Sequence, residues 1–250
     1  MNNHATLERI RGLKLSGMYQ AFKLSIETRE HENITADQLV ALLVEAEYNH
    51  RNNLHMKMSI KRACFRYNAT VEQVNYSVQR GLDKNLYLRL ADCSFIKRSE
   101  NIIFTGPTGV GKSWLATALG HQACLMGYKV RYFNMSKLCS SLKMSKADAS
   151  YLKELNKLEK QELLILDDFG LHPIEATIRL ALLDIIEDRY AKRSTIFVSQ
   201  IPVTNWHELL GEQTVADAIM DRVVHCSHRI DLKGESIRKK NGIKNKNEDD

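Results

Sequence analysis

A glycine-rich loop between an apolar run and a helix-like segment constrains the fold of this chain more than any other feature. The run Asn-Ile-Ile-Phe-Thr at 101–105 is followed by Gly-Pro-Thr-Gly-Val-Gly-Lys-Ser at 106–113 and then by Trp-Leu-Ala-Thr-Ala-Leu at 114–119. The loop fits G-x-x-x-x-G-K-[ST], and a strand before it with a helix after it is the context in which this motif wraps phosphates with backbone N–H groups. The sequence therefore predicts a phosphate-binding loop, or P-loop.

The residues of this loop have different predicted tasks. Gly106, Gly109 and Gly111 allow the backbone to turn around the phosphates. Lys112 neutralises the β- and γ-oxygens of a nucleoside triphosphate, and Ser113 ligates Mg²⁺. The predicted nucleotide contacts in this segment are Gly106, Pro107, Thr108, Gly109, Val110, Gly111, Lys112, Ser113 and Trp114.

Short runs rich in Ile, Val and Phe alternate with amphipathic segments after residue 100. The predicted strands are 101–104, 129–133, 163–166 and 194–199. Strands that alternate with helical patterns are typical of βαβ units around a parallel sheet. The predicted fold class is α/β, with a parallel sheet flanked by helices and a small all-α domain in front of it.

A P-loop protein needs a carboxylate at the end of a buried strand, and Leu-Leu-Ile-Leu-Asp-Asp at 163–168 supplies two. Asp167 is predicted to hold Mg²⁺ through water, and Asp168 to orient or deprotonate the attacking water. The alternative is that both aspartates cap an exposed turn. Four preceding apolar residues disfavour it, because they predict a strand buried on both faces.

The guanine-binding pattern N-K-x-D is absent, since the segments at 156–159 and 245–248 lack its aspartate. The signature L-S-G-G-Q of ABC transporters is absent as well. ATP is therefore the predicted nucleotide.

The segment 194–200 ends in Ser199 and Gln200, and two separated arginines, Arg222 and Arg238, follow it. This order of features resembles the AAA+ ATPases. The resemblance implies that Ser199 and Gln200 sense the γ-phosphate, that Arg222 is an arginine finger for a neighbouring subunit, and that Arg238 is the sensor 2 arginine. Each arginine alone could equally be a surface residue.

A closer resemblance rests on several segments together. They are 81–84, 106–120, 163–171, 187–211, 217–225 and 232–239. These segments are similar to those of the IstB-like helper ATPases of bacterial insertion sequences, relatives of the DnaC and DnaI helicase loaders. The resemblance implies an ATP-dependent homo-oligomer with active sites at subunit interfaces that binds double-stranded DNA and works with a cognate transposase. Asp168 in place of the usual Glu and Gln200 in place of Asn imply slow or partner-stimulated hydrolysis.

The first hundred residues have helical patterns, over 7–28 and again from Ala36 to about Phe65, where Thr35 and Gln38 form a capping box. No Asp or Glu occurs from Tyr48 to Val71. The basic residues of this stretch are predicted DNA contacts: Arg51, Lys57, Lys61, Arg62 and Arg66. Their spacing stacks charge along one flank of a helix, although a solvated helix face is the alternative.

The chain of 250 residues carries 36 basic and 30 acidic residues, so its net charge of +6 permits contact with nucleic acid. It contains no run of about 18 apolar residues, which predicts a cytoplasmic protein without a membrane span. The predicted divisions are a DNA- or partner-binding domain (1–75), an AAA+ ATPase domain (76–240) and a flexible tail (241–250). A transposition ATPase is the preferred function. A helicase loader and a DNA scaffold with negligible turnover are the alternatives.

Overall fold

The computed structural model describes residues 3–237, and the contacts within the chain separate two compact units. The first unit ends at Met58 and the second begins at Ser59. The predicted boundary at residue 75 lies later in the sequence. Residues between 60 and 76, among them Ala63 and Val74, pack into the hydrophobic core of the second unit, which is why the contacts separate the units earlier.

The first unit consists of helices α1 (Asn3–Gly12) and α2 (Ser16–Glu27) and the beginning of α3 (Ala36–Ala63). The helical pattern predicted over 7–28 is interrupted between α1 and α2, where Lys14 has a positive φ of 60°. Gly17 allows α2 to approach α3 closely, because a Cβ at this position would lie 2.4 Å from the carbonyl oxygen of Ala46.

Helix α3 begins where the sequence predicts. The Thr35 backbone N–H donates to Gln38 Oε1 at 2.9 Å, and the Gln38 N–H donates to Thr35 Oγ1 at 3.3 Å, which completes the capping box. The helix ends at Ala63 rather than near Phe65, because Cys64 has a left-handed φ of 57°. The expectation that Arg66 extends the helical row of charges is therefore wrong.

The second unit alternates helices and strands after the end of α3. In chain order its elements are α4 (Lys84–Ala91), α5 (Ser94–Lys97), β1 (Asn101–Thr105), α6 (Lys112–Leu125), β2 (Val130–Asn134), α7 (Met135–Ala147), α8 (Tyr151–Glu159), β3 (Leu163–Phe169), α9 (Ala176–Arg189), β4 (Ser194–Ser199), α10 (Trp206–Leu210), α11 (Gln213–Val224) and β5 (Ser227–Asp231). Short 3₁₀ turns occur at 30–32, 71–73 and 203–205.

The strands form one parallel sheet in the order β2-β3-β4-β1-β5. This confirms the predicted fold class and the four strands seen in the sequence. The sequence does not predict strand β5, because it is an edge strand in which Ile230 alone is buried, and its sequence Ser-His-Arg-Ile-Asp lacks an apolar pattern. All carboxyl ends of a parallel sheet meet at one edge, and there the P-loop follows β1.

Helices cover both faces of the sheet. Ile102 and Phe104 of β1 pack with α4 and α6 on one face, whereas Ile103 packs with α7, α9 and α11 on the other. This alternation follows from the period of two residues in a strand. Within residues 3–237, none of the helices is both long enough and apolar enough to span a bilayer.

Candidate nucleotide-binding site

The P-loop runs between the end of β1 and the first turn of α6, and its glycines stand where other residues would not fit. Gly106 has a φ of +132°, and a Cβ there would lie 2.0 Å from the carbonyl oxygen of Leu232. Gly111, with a φ of +97°, precedes the helix, and a Cβ there would lie 2.6 Å from Arg80 Nη1. The tight turn and the helix N-terminus leave backbone N–H groups for an anion.

Lys112 is the first residue of α6 and its side chain is turned back over the loop. Its Nζ donates to the carbonyl oxygens of Gly106 at 2.7 Å and Pro107 at 2.8 Å. The residue is only 6% exposed, so its charge acts in a partly desolvated place. The ammonium group is thus held beside the phosphate-binding backbone.

Asp167 is the buried carboxylate of the site, with no exposed surface. Its Oδ1 accepts from Ser113 Oγ at 2.8 Å, and its Oδ2 accepts from the Tyr132 hydroxyl on β2. Burial raises the pKa of the Asp167 carboxyl, while the Tyr132 and Ser113 hydrogen bonds act in the opposite direction. The two donors fix both oxygens and bring the acidic strand next to the P-loop helix.

Asp168 differs from its neighbour in backbone and in exposure. It has a positive φ of 58°, and the pairing of β3 with β4 is irregular at this point, between Leu166 and Phe169. This irregularity turns the Asp168 side chain, which is 21% exposed, toward the cavity. Its Oδ2 accepts from Asn134 Nδ2 at 2.7 Å and from Arg66 Nη1 at 3.4 Å.

The P-loop, Asp168 and Arg66 line a cavity of about 1100 Å³. Predicted residues that line it are Thr108, Gly109, Gly111, Lys112, Ser113, Trp114, Asp168, Ser199 and Gln200. The Ser199 hydroxyl is already used within the protein, because it donates to the Phe169 carbonyl at 2.7 Å and accepts from the Ile201 N–H at 3.0 Å. Gln200 is half-buried.

The segment 73–80 also lines this cavity, although no sequence pattern predicts it there. Arg80 in this segment is 5% exposed, and its Nη1 donates to the P-loop carbonyl of Val110 at 3.2 Å. Its Nη2 donates to the Asn75 carbonyl at 3.2 Å, so one guanidinium joins the P-loop to this segment. No motif marks Arg80, Tyr132 or Asn134, so only their spatial neighbours identify them.

Of the two arginines predicted to contact nucleotide, Arg222 is among the described residues and Arg238 is not. Arg222 lies on α11, where its Nη2 pairs with Glu187 Oε1 at 2.8 Å. Its carbonyl oxygen accepts from Asn101 Nδ2 at 3.5 Å. Asn101 is the first residue of β1, whereas the P-loop follows the last residue of β1. Arg222 therefore lies near the amino ends of the strands, and its own P-loop lies at their carboxyl ends. Arg238 lies outside the described residues. The Ile237 N–H donates to the Gly109 carbonyl at 2.9 Å.

The predicted DNA contacts have different surroundings in the structure. Lys57, Lys61 and Arg62 have exposed side chains on α3. Arg51 is exposed too, but its Nε donates to Glu47 at 2.7 Å, and Glu47 in turn accepts from the backbone at the start of α2. Arg66 lines the nucleotide cavity instead of extending the row on the helix.

The donor set at the meeting point of P-loop and acidic strand suits Mg²⁺. A serine hydroxyl and a carboxylate oxygen 2.8 Å apart are hard oxygen donors, and Mg²⁺ is bound by one or two such groups together with phosphates and water. Ser113 and Asp167 are thus the residues that would hold the ion.

Comparison with known proteins identifies the family to which the sequence is similar. The family described as IstB-like ATP binding protein matches residues 8–245. A Sinorhizobium fredii protein named as an insertion sequence ATP-binding protein is 42% identical over 236 residues, covering 94% of this chain and 96% of the relative.

Solved structures resemble the chain in fold. DnaI has a TM-score of 0.56 at 22% identity over 66% of this chain and 91% of its own. AMPPCP-bound DnaA from Aquifex aeolicus has a TM-score of 0.57 at 16% identity over 75% of this chain and 56% of its own. Both confirm the predicted fold class, a parallel sheet flanked by helices. Since the family match spans nearly the whole chain and the Sinorhizobium relative agrees with it, this chain belongs to the IstB-like ATP binding proteins of insertion sequences.

Proposed function

We propose that this protein is an ATPase that binds double-stranded DNA and assists a transposase in choosing or delivering target DNA. The observation that supports ATP hydrolysis best is the 2.8 Å contact between Ser113 Oγ and Asp167 Oδ1, with Lys112 and Asp168 beside it. Membership of a family of insertion sequence ATP-binding proteins supports the role in transposition.

The two adjacent carboxylates have different proposed roles because their surroundings differ. Asp167 is fully buried and faces Ser113, which suits a metal ligand. Asp168 is partly exposed in the cavity, which suits a group that orients or deprotonates water. A bound Mg²⁺ would neutralise the β- and γ-phosphate oxygens. The hydrogen bond from Asn134 holds Asp168 in place and occupies one of its oxygens, which agrees with slow hydrolysis.

Hydrolysis in this proposal takes place between subunits of a homo-oligomer. Arg222 stands at the opposite edge of the sheet from its own P-loop, so it can reach a γ-phosphate only in a neighbouring molecule. Its planar guanidinium matches phosphate oxygens in a way that the lysine ammonium does not.

Arg222→Ala is expected to bind ATP with nearly normal affinity but to lose ATP-dependent assembly and hydrolysis. The variant should fold, because the pair with Glu187 is solvent-exposed and worth only about 0–1 kcal/mol. Nucleotide titration, light scattering and phosphate release measure the three properties. Lys192→Ala, which removes an exposed charge outside the cavity, is the control.

Mixing variants separates a role in the neighbouring subunit from a role within one subunit. Arg222→Ala keeps an intact P-loop, and Lys112→Ala keeps an intact Arg222, so mixed assemblies contain some complete sites. Phosphate release should partly recover in the mixture. Absence of recovery at every ratio, with co-assembly demonstrated, would contradict a finger that acts between subunits.

The exposed positive charges of α3 are the proposed DNA contacts. Arginine and lysine contacts to phosphates do not depend on base sequence, which suits a protein that accepts many target sites. Lys57, Lys61 and Arg62 are exposed, and no acidic residue lies between Tyr48 and Val71 to neutralise them in sequence.

Replacing Lys57, Lys61 and Arg62 together by alanine is expected to weaken binding to duplex DNA. The slope of log K against log salt should fall by about 0.9 for each phosphate that the variant no longer neutralises. Fluorescence anisotropy titrations at several salt concentrations measure it. Replacing Lys153, Lys157 and Lys160 removes the same net charge elsewhere and serves as control. An unchanged slope in the first variant would show that these charges of α3 form a solvated helix face that does not contact DNA.

The partner decides between transposition and helicase loading. A gene for a transposase with an integrase-type catalytic core directly beside the gene of this protein would support transposition. Pull-down of that transposase by the full chain in the presence of ATP tests the interaction itself. Capture of a replicative helicase in its place would favour the loader function.

A further inference from the structure

Arg66 occupies a position that neither the P-loop motif nor the acidic strand accounts for. Its Nη1 lies 3.4 Å from Asp168 Oδ2 and 3.9 Å from Asp167 Oδ2. The guanidinium thus approaches both carboxylates of the site, and Asp168 is 102 positions away in the sequence. The Arg66 side chain is 47% exposed, and it lines the cavity.

The chain around Arg66 is anchored on both sides. Phe65 packs against the core near Gly120, where an added Cβ would lie 2.8 Å from the Phe65 ring, and Ala69 is fully buried. On the helix side, Arg131 of β2 donates to the Arg62 carbonyl at 2.6 Å. These contacts place the backbone of residue 66 beside the end of β3.

A divalent ion at Ser113 and the Arg66 guanidinium would both interact with the Asp167 carboxylate, the ion through Oδ1 and the guanidinium on the side of Oδ2. Asp167 offers Oδ1 to Ser113 and Oδ2 to Tyr132, and Arg66 approaches Oδ2. A divalent ion held by Ser113 and Asp167 would share the Asp167 carboxylate with the guanidinium, and the two like charges would repel each other. The attraction of the carboxylates for one cation is weakened by the presence of the other.

We infer that Arg66 competes with the divalent cation for Asp167 and Asp168, so that loading of the metal releases Arg66 from the carboxylates. This inference rests on the proposed metal role of Ser113 and Asp167. By thermodynamic linkage, the Arg66 contact weakens metal binding by the same factor by which metal weakens the Arg66 contact. Arg66 is then a residue of the nucleotide site, and the segment 62–66 links the end of α3 to the metal.

Binding of Mn²⁺ alone to the full chain, followed by electron paramagnetic resonance without nucleotide, tests the inference. Arg66→Ala is expected to bind Mn²⁺ at least about fivefold more tightly than the wild type. A purely structural role for Arg66 predicts the reverse, because a disturbed site binds metal less well. Arg66→Lys keeps the charge and should stay near the wild type.

Arg89→Ala is the matched control, because it removes one positive charge from an exposed side chain outside the cavity and should leave Mn²⁺ affinity unchanged. Adding Asp167→Asn to Arg66→Ala should abolish the gain, which assigns the ion to this carboxylate. Equal or weaker Mn²⁺ binding in Arg66→Ala would overturn the inference, as would an equal gain in Arg89→Ala.

Failure of the proposed function has a different result. If the wild-type chain binds no fluorescent ATP analogue in the presence of Mg²⁺, the ATPase assignment is wrong. If it binds the analogue while Arg66→Ala gains no Mn²⁺ affinity, the competition alone is wrong.

Discussion

Lys112→Ala is expected to lower the affinity for ATP by about a hundredfold or more while the protein stays folded. Truncating one partner of a buried charge pair costs about 2–5 kcal/mol, and each 1.4 kcal/mol is about tenfold in affinity. Lys112 is 6% exposed and directed over the P-loop, so its charge would meet the phosphates with little screening. Titration with a fluorescent ATP analogue in the presence of Mg²⁺ measures the reduction.

The fold should survive because Lys112 lies in the P-loop and donates to two carbonyls of its own loop. Circular dichroism and the thermal midpoint check this. Lys143→Ala is the control, because Lys143 pairs with Glu175 on the surface and its replacement removes the same charge. ATP affinity equal to that of the wild type in a folded Lys112→Ala protein would refute the nucleotide site.

Asp168→Asn is expected to retain ATP and Mg²⁺ and to slow hydrolysis by about a factor of 10² to 10⁴, the usual contribution of a general base. Asparagine preserves the shape of the side chain, and its carbonyl oxygen can still accept from Asn134. It also tolerates the left-handed backbone, where φ is 58°. The substitution therefore preserves the shape of the side chain and removes its charge, and with it the ion pair to Arg66.

Phosphate release under single-turnover conditions measures the chemical step, and nucleotide titration measures retention. An ATP-loaded variant that cannot hydrolyse should also remain on DNA longer than the wild type, which dissociation rates from labelled duplex detect. Unchanged phosphate release would remove Asp168 from catalysis. If the wild type itself releases no phosphate with DNA and the transposase present, the scaffold function would be favoured.

Asp167 and Asp168 have different surroundings although they are adjacent in the strand. The irregular pairing after Leu166 leaves one side chain fully buried and the other 21% exposed. A regular strand would direct one of them to the far face of the sheet. The bulge is therefore what brings both carboxylates to one site.

Much of the fold follows from local patterns in the sequence. The capping box at Thr35, the apolar runs of the four predicted strands and the spacing of the P-loop are short-range signals, and each describes an element that the structure contains. The rule that parallel strands end at one edge then brings Asp167 near Ser113 without further information. Strand β5 lacks such a signal because a single buried residue cannot display a period.

Contacts between side chains and groups far apart in the sequence could be identified only from the tertiary structure. Arg66 and Asp168 are 102 positions apart, Arg80 and Val110 are 30 apart, and Asn134 and Asp168 are 34 apart. Whether such pairs meet depends on the strand order and on where α3 stops, and a left-handed residue at Cys64 decides the latter. Helical spacing places Arg66 in a row of DNA contacts, whereas the fold places it beside the carboxylates of the nucleotide site. The sequence by itself thus determined the P-loop, the acidic strand and the type of sheet, because neighbouring residues encode them. The tertiary structure alone decided which distant charges share the cavity, because chain connectivity and packing bring them together and local periodicity does not.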